Sequence, residues 1–498
     1  MLTVHLRIND AATGTPTPVR LSVTGPDGTT YAPLGRFVEF PTGKGEGVGG
    51  HLRLGREPWC YIDGSCEVKL PAGVALRVRA TKGPEYRPLD QTVTLGLGQM
   101  ALRLAVERFC DPRADGWHSG DTRCHGLSPH AALLEAAAED LDVVNVLAAV
   151  RPVASLDGTA YPLAPDLLAF SGQAAALEGH GRLVAVNTLN AHPVLGKVGL
   201  LYSHRPVFPL GFGGEDTDDW SVCDWCDQCR RKGGLVVWVD AFRPASGLVG
   251  GEALVAAVLG KVDAIEYDGE PRTPPPFLPR LYEVWKAGLP LPLVGGSGKD
   301  SNRVPLGSPR TYARLAGGEP FSYKAWVNAV RAGQTFVSSG PLLTLGVNGA
   351  GPGETVDASG PVTVTARAES LSVFERLEVL ADGEVIAASE SVEGDRWVAT
   401  VEVPFTPATS GWVAARCVRV GGVFRSPGAA FSAHSSPVAV RVNGKPLPRR
   451  PEAVAAVRRA VEETRGWVEV QGRFASPKSR QHLLDLCGEA IGRLEAPG

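Results

Sequence analysis

The chain has 498 residues, more than one hydrophobic core organises, so roughly three domains are expected. Its 50 Lys and Arg stand against 53 Asp and Glu, a formal net charge of −3, which offers no basic field for nucleic acid or an anionic membrane surface. Gly and Pro number 60 and 40, about a fifth of the chain against a usual ~12%, and 44% is hydrophobic; this describes a folded, turn-rich protein and excludes a disordered one.

No apolar run is long enough to span a bilayer. Met1-Leu2-Thr3-Val4-His5-Leu6 alternates as a strand and lacks the charged-then-apolar layout of a signal peptide. A cytoplasmic location is expected, or export if the start codon is mis-set. The 9 cysteines are too few for a disulfide framework in so long a chain.

Residues 1–108 read as a β-sandwich accessory domain. Val4, Leu6 and Ile8 alternate, as do Leu21 with Val23 and Leu76, Val78 and Ala80, and Gly/Pro turns separate the runs. The turn Leu70-Pro71-Ala72-Gly73 resembles those of transthyretin-like or carboxypeptidase-regulatory β-domains.

From 109 to 340 strands and helices alternate. Trp117 to Cys124 is the first strand, and Ser128 as N-cap with Pro129 behind it starts a helix whose buried stripe is Leu133, Leu134, Ala137 and Leu141. Strands follow at Val143–Leu147, Gly234–Asp240, Val262–Glu266 and Leu291–Val294, with helices at Glu252–Leu259 and Leu278–Lys286. Repeated β-α units with short apolar strands imply parallel pairing, and about 230 residues suit a (β/α) barrel with its chemistry at the strand C-terminal ends. Trp220 to Arg231 reads as a helix capped by Asp218 or Asp219. It carries Cys223, Cys226 and Cys229, a spacing that suits zinc or part of an iron–sulfur cluster but has no fourth ligand nearby; buried thiols are the simpler reading.

Residues 341–444 return to β patterning, with Val362, Val364 and Ala366, then Leu377, Val379 and Ala381 before the hairpin signal Asp382-Gly383. The tail, 445–498, is helical over Pro451–Thr464 and Pro477–Leu494, and its apolar faces are expected to dock on the barrel or on a partner.

The stretch Gly116-Trp117-His118-Ser119-Gly120-Asp121-Thr122-Arg123-Cys124-His125 resembles the start of CehA/McbA-like metallohydrolases of the PHP superfamily, whose first strand reads Gly-Asp-(Thr/Leu)-His-x-His. Further similar pieces come in the same order: Phe170-Ser171-Gly172-Gln173, Asp263-Ala264-Ile265-Glu266, Arg310-Thr311-Tyr312, Ser339-Gly340-Pro341-Leu342 and His434-Ser435-Ser436-Pro437. The resemblance implies a multidomain α/β plus β protein, in which a distorted (β/α) PHP-type barrel is flanked by N- and C-terminal β-sandwiches and followed by a helical tail. It also implies a site where His, Asp and Glu hold divalent cations that lower the pKa of bound water for hydrolysis.

Carried across residue by residue, that ligand set is depleted. The first His is Arg123, and the second is His125. The Asp-His ending the second strand falls near Asn145 to Ala148, where neither occurs. Gly-Gln-Glu becomes Gly172-Gln173-Ala174, Gly-His becomes Gly196-Lys197, a later His becomes Asp240, and Ser-Asp becomes Ser297-Gly298-Lys299-Asp300. Arg and Lys do not ligate zinc at neutral pH, since the protonated nitrogen has no lone pair to give. Arg123, Lys197 and Lys299 are instead suited to neutralising Asp121, Asp240, Glu266 or Asp300 without an ion.

Three readings follow: a degraded metal site reassigned to an anion or other small ligand; an active hydrolase of phosphoester or ester/amide bonds with a single Zn or Mn on His125, Asp240 and Asp300, helped by His192 or His204; or a structural and assembly module. No other cofactor, nucleic-acid partner or membrane partner is expected. His118, His130 and His434 read as packing or surface histidines. Gly295-Gly296-Ser297-Gly298-Lys299 is neither a P-loop, lacking Ser/Thr after Lys, nor a nucleophile elbow, since Lys299 takes the last glycine position.

Overall fold

A computed structural model describes residues 1–43, 46–154, 160–163, 165–214, 216–242, 248–268, 277–418 and 432–496. It is a mixed α/β protein made mostly of strands, with few helices. In the N-terminal region two sheets of four and five strands share one core, in which Val4, Leu6 and Ile8 of the strand Leu2–Asp10 meet Leu21, Val23, Leu76 and Val78 of the facing sheet. The period-2 alternation seen in the sequence is the packing itself, because every second side chain points into the gap between the sheets.

The central sheet is curled into a half-barrel. Its strands Trp117–Cys124, Val143–Ala148, Arg182–His192, Leu235–Val239, Ala264–Glu266 and Leu293–Val294 share one direction. The repeated β-α pattern implies parallel neighbours throughout, and here the structure differs. Gly196–Leu201 runs antiparallel between Arg182–His192 and Leu235–Val239. The short turn at Pro193–Leu195 permits only a hairpin, whereas a parallel return needs a crossover of a dozen residues or more. Because Gly196–Leu201 runs backwards, its first residues lie on the rim formed by the C-terminal ends of the others. That is how Lys197 reaches the candidate site.

Backbone hydrogen bonds hold the last of these strands beside the first: Thr122 N donates to Gly295 O (3.2 Å), Gly298 N to Arg123 O (2.8 Å) and His125 N to Lys299 O (2.6 Å). Ala264 and Val294 turn one face of the sheet toward helix α5 (Tyr323–Arg331), which lays Trp326 against it. Ile265 and Leu293 face the opposite layer, formed by α2 (Val222–Arg231), α3 (Gly251–Val258) and α4 (Phe277–Lys286). The first helix, α1 (Pro129–Ala138), begins as the sequence indicates, with the Ser128 hydroxyl accepting from Ala131 N. On α2 the expected cap is corrected: Ser221 accepts from Asp224 N, while Asp218 and Asp219 are spent on other contacts.

The same sheet continues past the half-barrel. Thr335–Ser338 pairs with Ala433–Ser435, which leads into the C-terminal strands Gly411–Val418 and Arg376–Ala381. A four-stranded second sheet covers them, with Val364 and Val401 packed against Val379 and Val413. The tail forms α6 (Pro451–Val470) and α7 (Pro477–Glu495), whose Val457, Val461, Leu483 and Leu486 enter the core with Leu254 and Leu281 of α3 and α4. Each such side chain, buried, contributes about 1.5–3 kcal/mol, so the tail is part of the folded body.

A buried charge cluster joins the N-terminal sandwich to the half-barrel. Asp140 is fully buried and is bonded by Arg108 (2.7 Å), Arg113 (3.0 Å) and Arg182. Glu85 accepts from Arg108 (2.6 Å) and from the Tyr312 hydroxyl (3.0 Å). The Lys82 ammonium donates to Pro18 O and to Ala137 O at the C-terminus of α1, where the helix dipole favours a cation. Burial, and next the Asp140 carboxylate, push Glu85 up to about 7. A carboxyl raised in the folded state contributes stability below its unfolded pKa of about 4.3, and that contribution is lost as pH rises through about 7. Urea resistance therefore falls between pH 5 and 8, by on the order of 1 kcal/mol. Glu85→Gln flattens that slope; an unchanged slope in the variant would assign it elsewhere.

Candidate functional site

The strand Trp117–Cys124 delivers Asp121 and Arg123 to the rim, and the other candidate groups come from strand ends around it. Arg123 Nε lies 3.1 and 2.9 Å from the two carboxylate oxygens of Glu266, and Nη2 donates to Glu266 Oε1 at 2.5 Å. The same Nη2 stands 3.5 Å from Asp240 Oδ1, and Asp240 Oδ2 accepts from Lys197 Nζ at 2.7 Å. The groups thus form an alternating row: Glu266, Arg123, Asp240, Lys197. It runs from nearly buried at Glu266, whose side chain is 6% exposed, to half open at Lys197, which is 42% exposed.

Burial raises the Glu266 carboxyl above its ordinary range, and Arg123 pulls it back. The same neighbours hold the Arg123 guanidinium firmly protonated. A planar guanidinium against a carboxylate is the geometry in which arginine is strongest. The two cations and two carboxylates compensate one another, so the row has little net charge to offer a further ion.

Asp121 belongs to the frame. Its Oδ1 accepts from Arg123 N (2.9 Å) and Ser297 N (3.0 Å), and its Oδ2 accepts from Gly307 N (2.8 Å), tying two loops to the first strand. The run Gly295-Gly296-Ser297-Gly298 has a role that neither rejected motif supplies. A Cβ on Gly296 would lie 2.7 Å from Glu266 Oε2, and one on Gly298 would lie 3.1–3.2 Å from the Arg123 guanidinium. Gly298 also has φ +61°. Only glycine lets this backbone close over the ion row.

Lys299 and Asp300 depart from the expectation that both face the site. Lys299 is fully buried and turns toward α1, donating to Val304 O (2.9 Å) and Ser301 O (3.3 Å), with Glu135 Oε2 at 3.5 Å. Glu135 also accepts from Gly50 N (2.9 Å), so this carboxylate, buried under the N-terminal sandwich, is what draws Lys299 inward. Asp300 is exposed. His125 is buried, with Nδ1 2.8 Å from Leu147 O.

Among the described residues no group of three or more His, Cys, Asp or Glu gathers as metal ligands would, so His125, Asp240 and Asp300 do not form a set. His192 is also otherwise engaged: its Nδ1 accepts from Val194 N and Leu195 N, and its Nε2 donates to Asp218 (2.8 Å). His204 and His130 are exposed; His118 pairs with Asp142 and stacks on Phe321. His434 sits between Ser435 O (2.7 Å) and the Tyr282 hydroxyl (2.8 Å), and burial pushes it down to about 3. Cys223, Cys226 and Cys229 are buried thiols in the core behind α2, with Cys229 pushed up to about 12 by burial.

The strand that carries Asp121 and Arg123 is also tied, through Asn145, to α5. The Tyr323 hydroxyl of α5 donates to Asn145 Oδ1 (2.5 Å) and accepts from Asn187 Nδ2 (3.1 Å); Asn145 Nδ2 donates to Asp121 O (3.0 Å). Asn145 is thus a neutral amide bonded to a helix about 180 residues downstream. A tyrosine that begins an amphipathic helix gives no local signal of that partnership. No family model, curated protein or solved structure matches this chain.

Proposed function

We propose that the chain is a divergent homologue of the CehA/McbA-like PHP metallohydrolases, with a distorted barrel at 109–340 in which ion pairs replace the metal centre. The rim then serves a binding or scaffolding role and not hydrolysis. The single observation that carries this reading is the row Glu266–Arg123–Asp240–Lys197, in which each carboxylate already has a cationic partner.

The donor set does not fit a divalent cation. Both Glu266 oxygens face Arg123, and an ion beside Asp240 would meet Arg123 and Lys197 at close range. No hydrolytic step is therefore derived through a metal. The one-metal reading on His125, Asp240 and Asp300 also loses Asp300, which faces solvent.

Within the binding reading, Lys197 is the cation that a small anion can reach, and it must be drawn from Asp240 to bind one. Weak anion binding is the consequence. Protein purified without added metal or chelator is expected to carry substoichiometric Zn and Mn and to leave aryl phosphates and aryl esters intact. Inorganic phosphate or sulfate is expected to raise the melting temperature of the wild type and to have no such effect on Lys197→Ala, because a ligand that binds only the folded state stabilises it in proportion to RT ln(1 + [L]/Kd). Stoichiometric metal with turnover overturns the proposal. Absence of any anion effect leaves the scaffolding role in place and removes the anion.

A further inference from the structure

On another part of the surface, residues 209–212 and 216–220 and the α6–α7 connection at Arg473 line a groove of about 490 Å³. Its lining includes Pro209, Phe212, Asp216, Thr217, Trp220 and Arg473. Trp220 is 49% exposed, an expensive placement for the largest apolar side chain. Asp216 and Arg473 are also exposed, and among the described residues neither side chain has a hydrogen-bond or ion-pair partner. The groove therefore presents an open indole face, an acceptor and a donor.

The walls are held from beneath. Asp218 and Arg473 exchange two hydrogen bonds, Asp218 N to Arg473 O (2.7 Å) and Arg473 N to Asp218 Oδ2 (2.6 Å), while Asp218 Oδ1 holds buried His192. Asp219 accepts from Ala475 N and Ser476 N. On the other side Asn190 Nδ2 donates to Val207 O (2.8 Å) and Pro209 O (3.0 Å), and Phe212 packs against His192 and Trp225. These anchors hold Phe212, Asp218 and Arg473 in place before any ligand arrives, so little of their ordering entropy is left to lose on binding.

We infer that this groove is a binding site for a neutral saccharide, whose ring lies on Trp220 while Asp216 and Arg473 take its hydroxyls. Among the described lining residues the charges are one carboxylate, Asp216, and one guanidinium, Arg473. An anion or a cation would face one like charge, whereas vicinal hydroxyls satisfy both groups, donating to Asp216 and accepting from Arg473. A flat indole offers the apolar face that a sugar's C–H side needs, beside the polar groups that orient it.

Saturation-transfer NMR on the full chain with cellobiose, maltose, xylobiose and chitobiose tests this. Transfer to the ring protons of at least one disaccharide is expected, absent in Trp220→Ala and weakened about tenfold or more in Asp216→Asn and Arg473→Gln. Unchanged circular dichroism confirms that these surface variants fold. The inference is overturned by lack of transfer to every disaccharide, by undiminished transfer in Trp220→Ala, by transfer to the zwitterion glycine in preference to the sugars, or by a self-association of the wild type that Trp220→Ala abolishes.

Discussion

Arg123→Ala is expected to lower the stability of the folded chain by about 3 kcal/mol, because it leaves Glu266 charged and nearly buried with no partner. The arginine supplies three close nitrogen–oxygen contacts to that carboxylate and the bridge to Asp240. Glu266 is already raised by burial, and without Arg123 it binds a proton more readily. The variant's deficit should therefore grow as pH rises and shrink as pH falls, since protonation removes the uncompensated charge. The double variant Arg123→Met with Glu266→Leu is expected to recover most of the loss, as replacing a buried pair by apolar side chains of similar volume usually does. Urea midpoints for the single and double variants at pH 5 and 8 provide the measurement. A loss below about 1 kcal/mol for the single variant would mean that the row is held by its loops and contributes little itself.

Asp140→Asn is the second large effect, at about 3 kcal/mol or more. Asp140 is fully buried at φ +56°, and asparagine tolerates that backbone, so the substitution removes charge without adding strain. Arg108, Arg113 and Arg182 are then left facing one another without the carboxylate that they share. Those arginines hold Asp140 well below the ordinary carboxylate range. A depressed carboxyl contributes stability above its unfolded pKa near 3.9, and that stability is lost as pH falls. The variant should accordingly lack the wild type's acid-side decline. Limited proteolysis is expected to release the N-terminal sandwich, because the cluster is part of the joint between it and the half-barrel. An intact proteolytic pattern with wild-type urea resistance would show that the other contacts, among them Gly50 N to Glu135 and Arg20 to Glu139, secure that joint.

The two effects differ in how visible their causes are in the chain. Arg123 and Lys197 stand out as single cations at the ends of otherwise apolar or polar strands, and charge logic pairs them with nearby strand-end acids. That logic succeeds for Asp240 and Glu266, whose strands terminate at the same rim. It fails for Lys299. Two residues beyond Ser297 the chain pairs beside Cys124, and the lysine meets a buried glutamate on α1 that no spacing rule connects to it. The cluster around Asp140 is less visible still. Glu85, Arg108, Asp140 and Arg182 are scattered over about a hundred residues, and each alone reads as an ordinary surface charge.

What the residues alone determine here is local. Alternation sets the strand faces of the N-terminal sandwich, Ser128 and Pro129 set the start of α1, and the short Gly/Pro turns set where strands end. These signals are legible because each depends on a few adjacent residues and on backbone geometry of fixed period. Which strands become neighbours, and with what polarity, was decided by the three-dimensional arrangement. The hairpin at Pro193–Leu195 reversed one strand, and the central sheet ran on through Thr335–Ser338 into the C-terminal sandwich. The destination of each charge was decided in the same way. A carboxylate removed from water takes whichever donor the packing brings within reach, and that donor can come from anywhere along the chain.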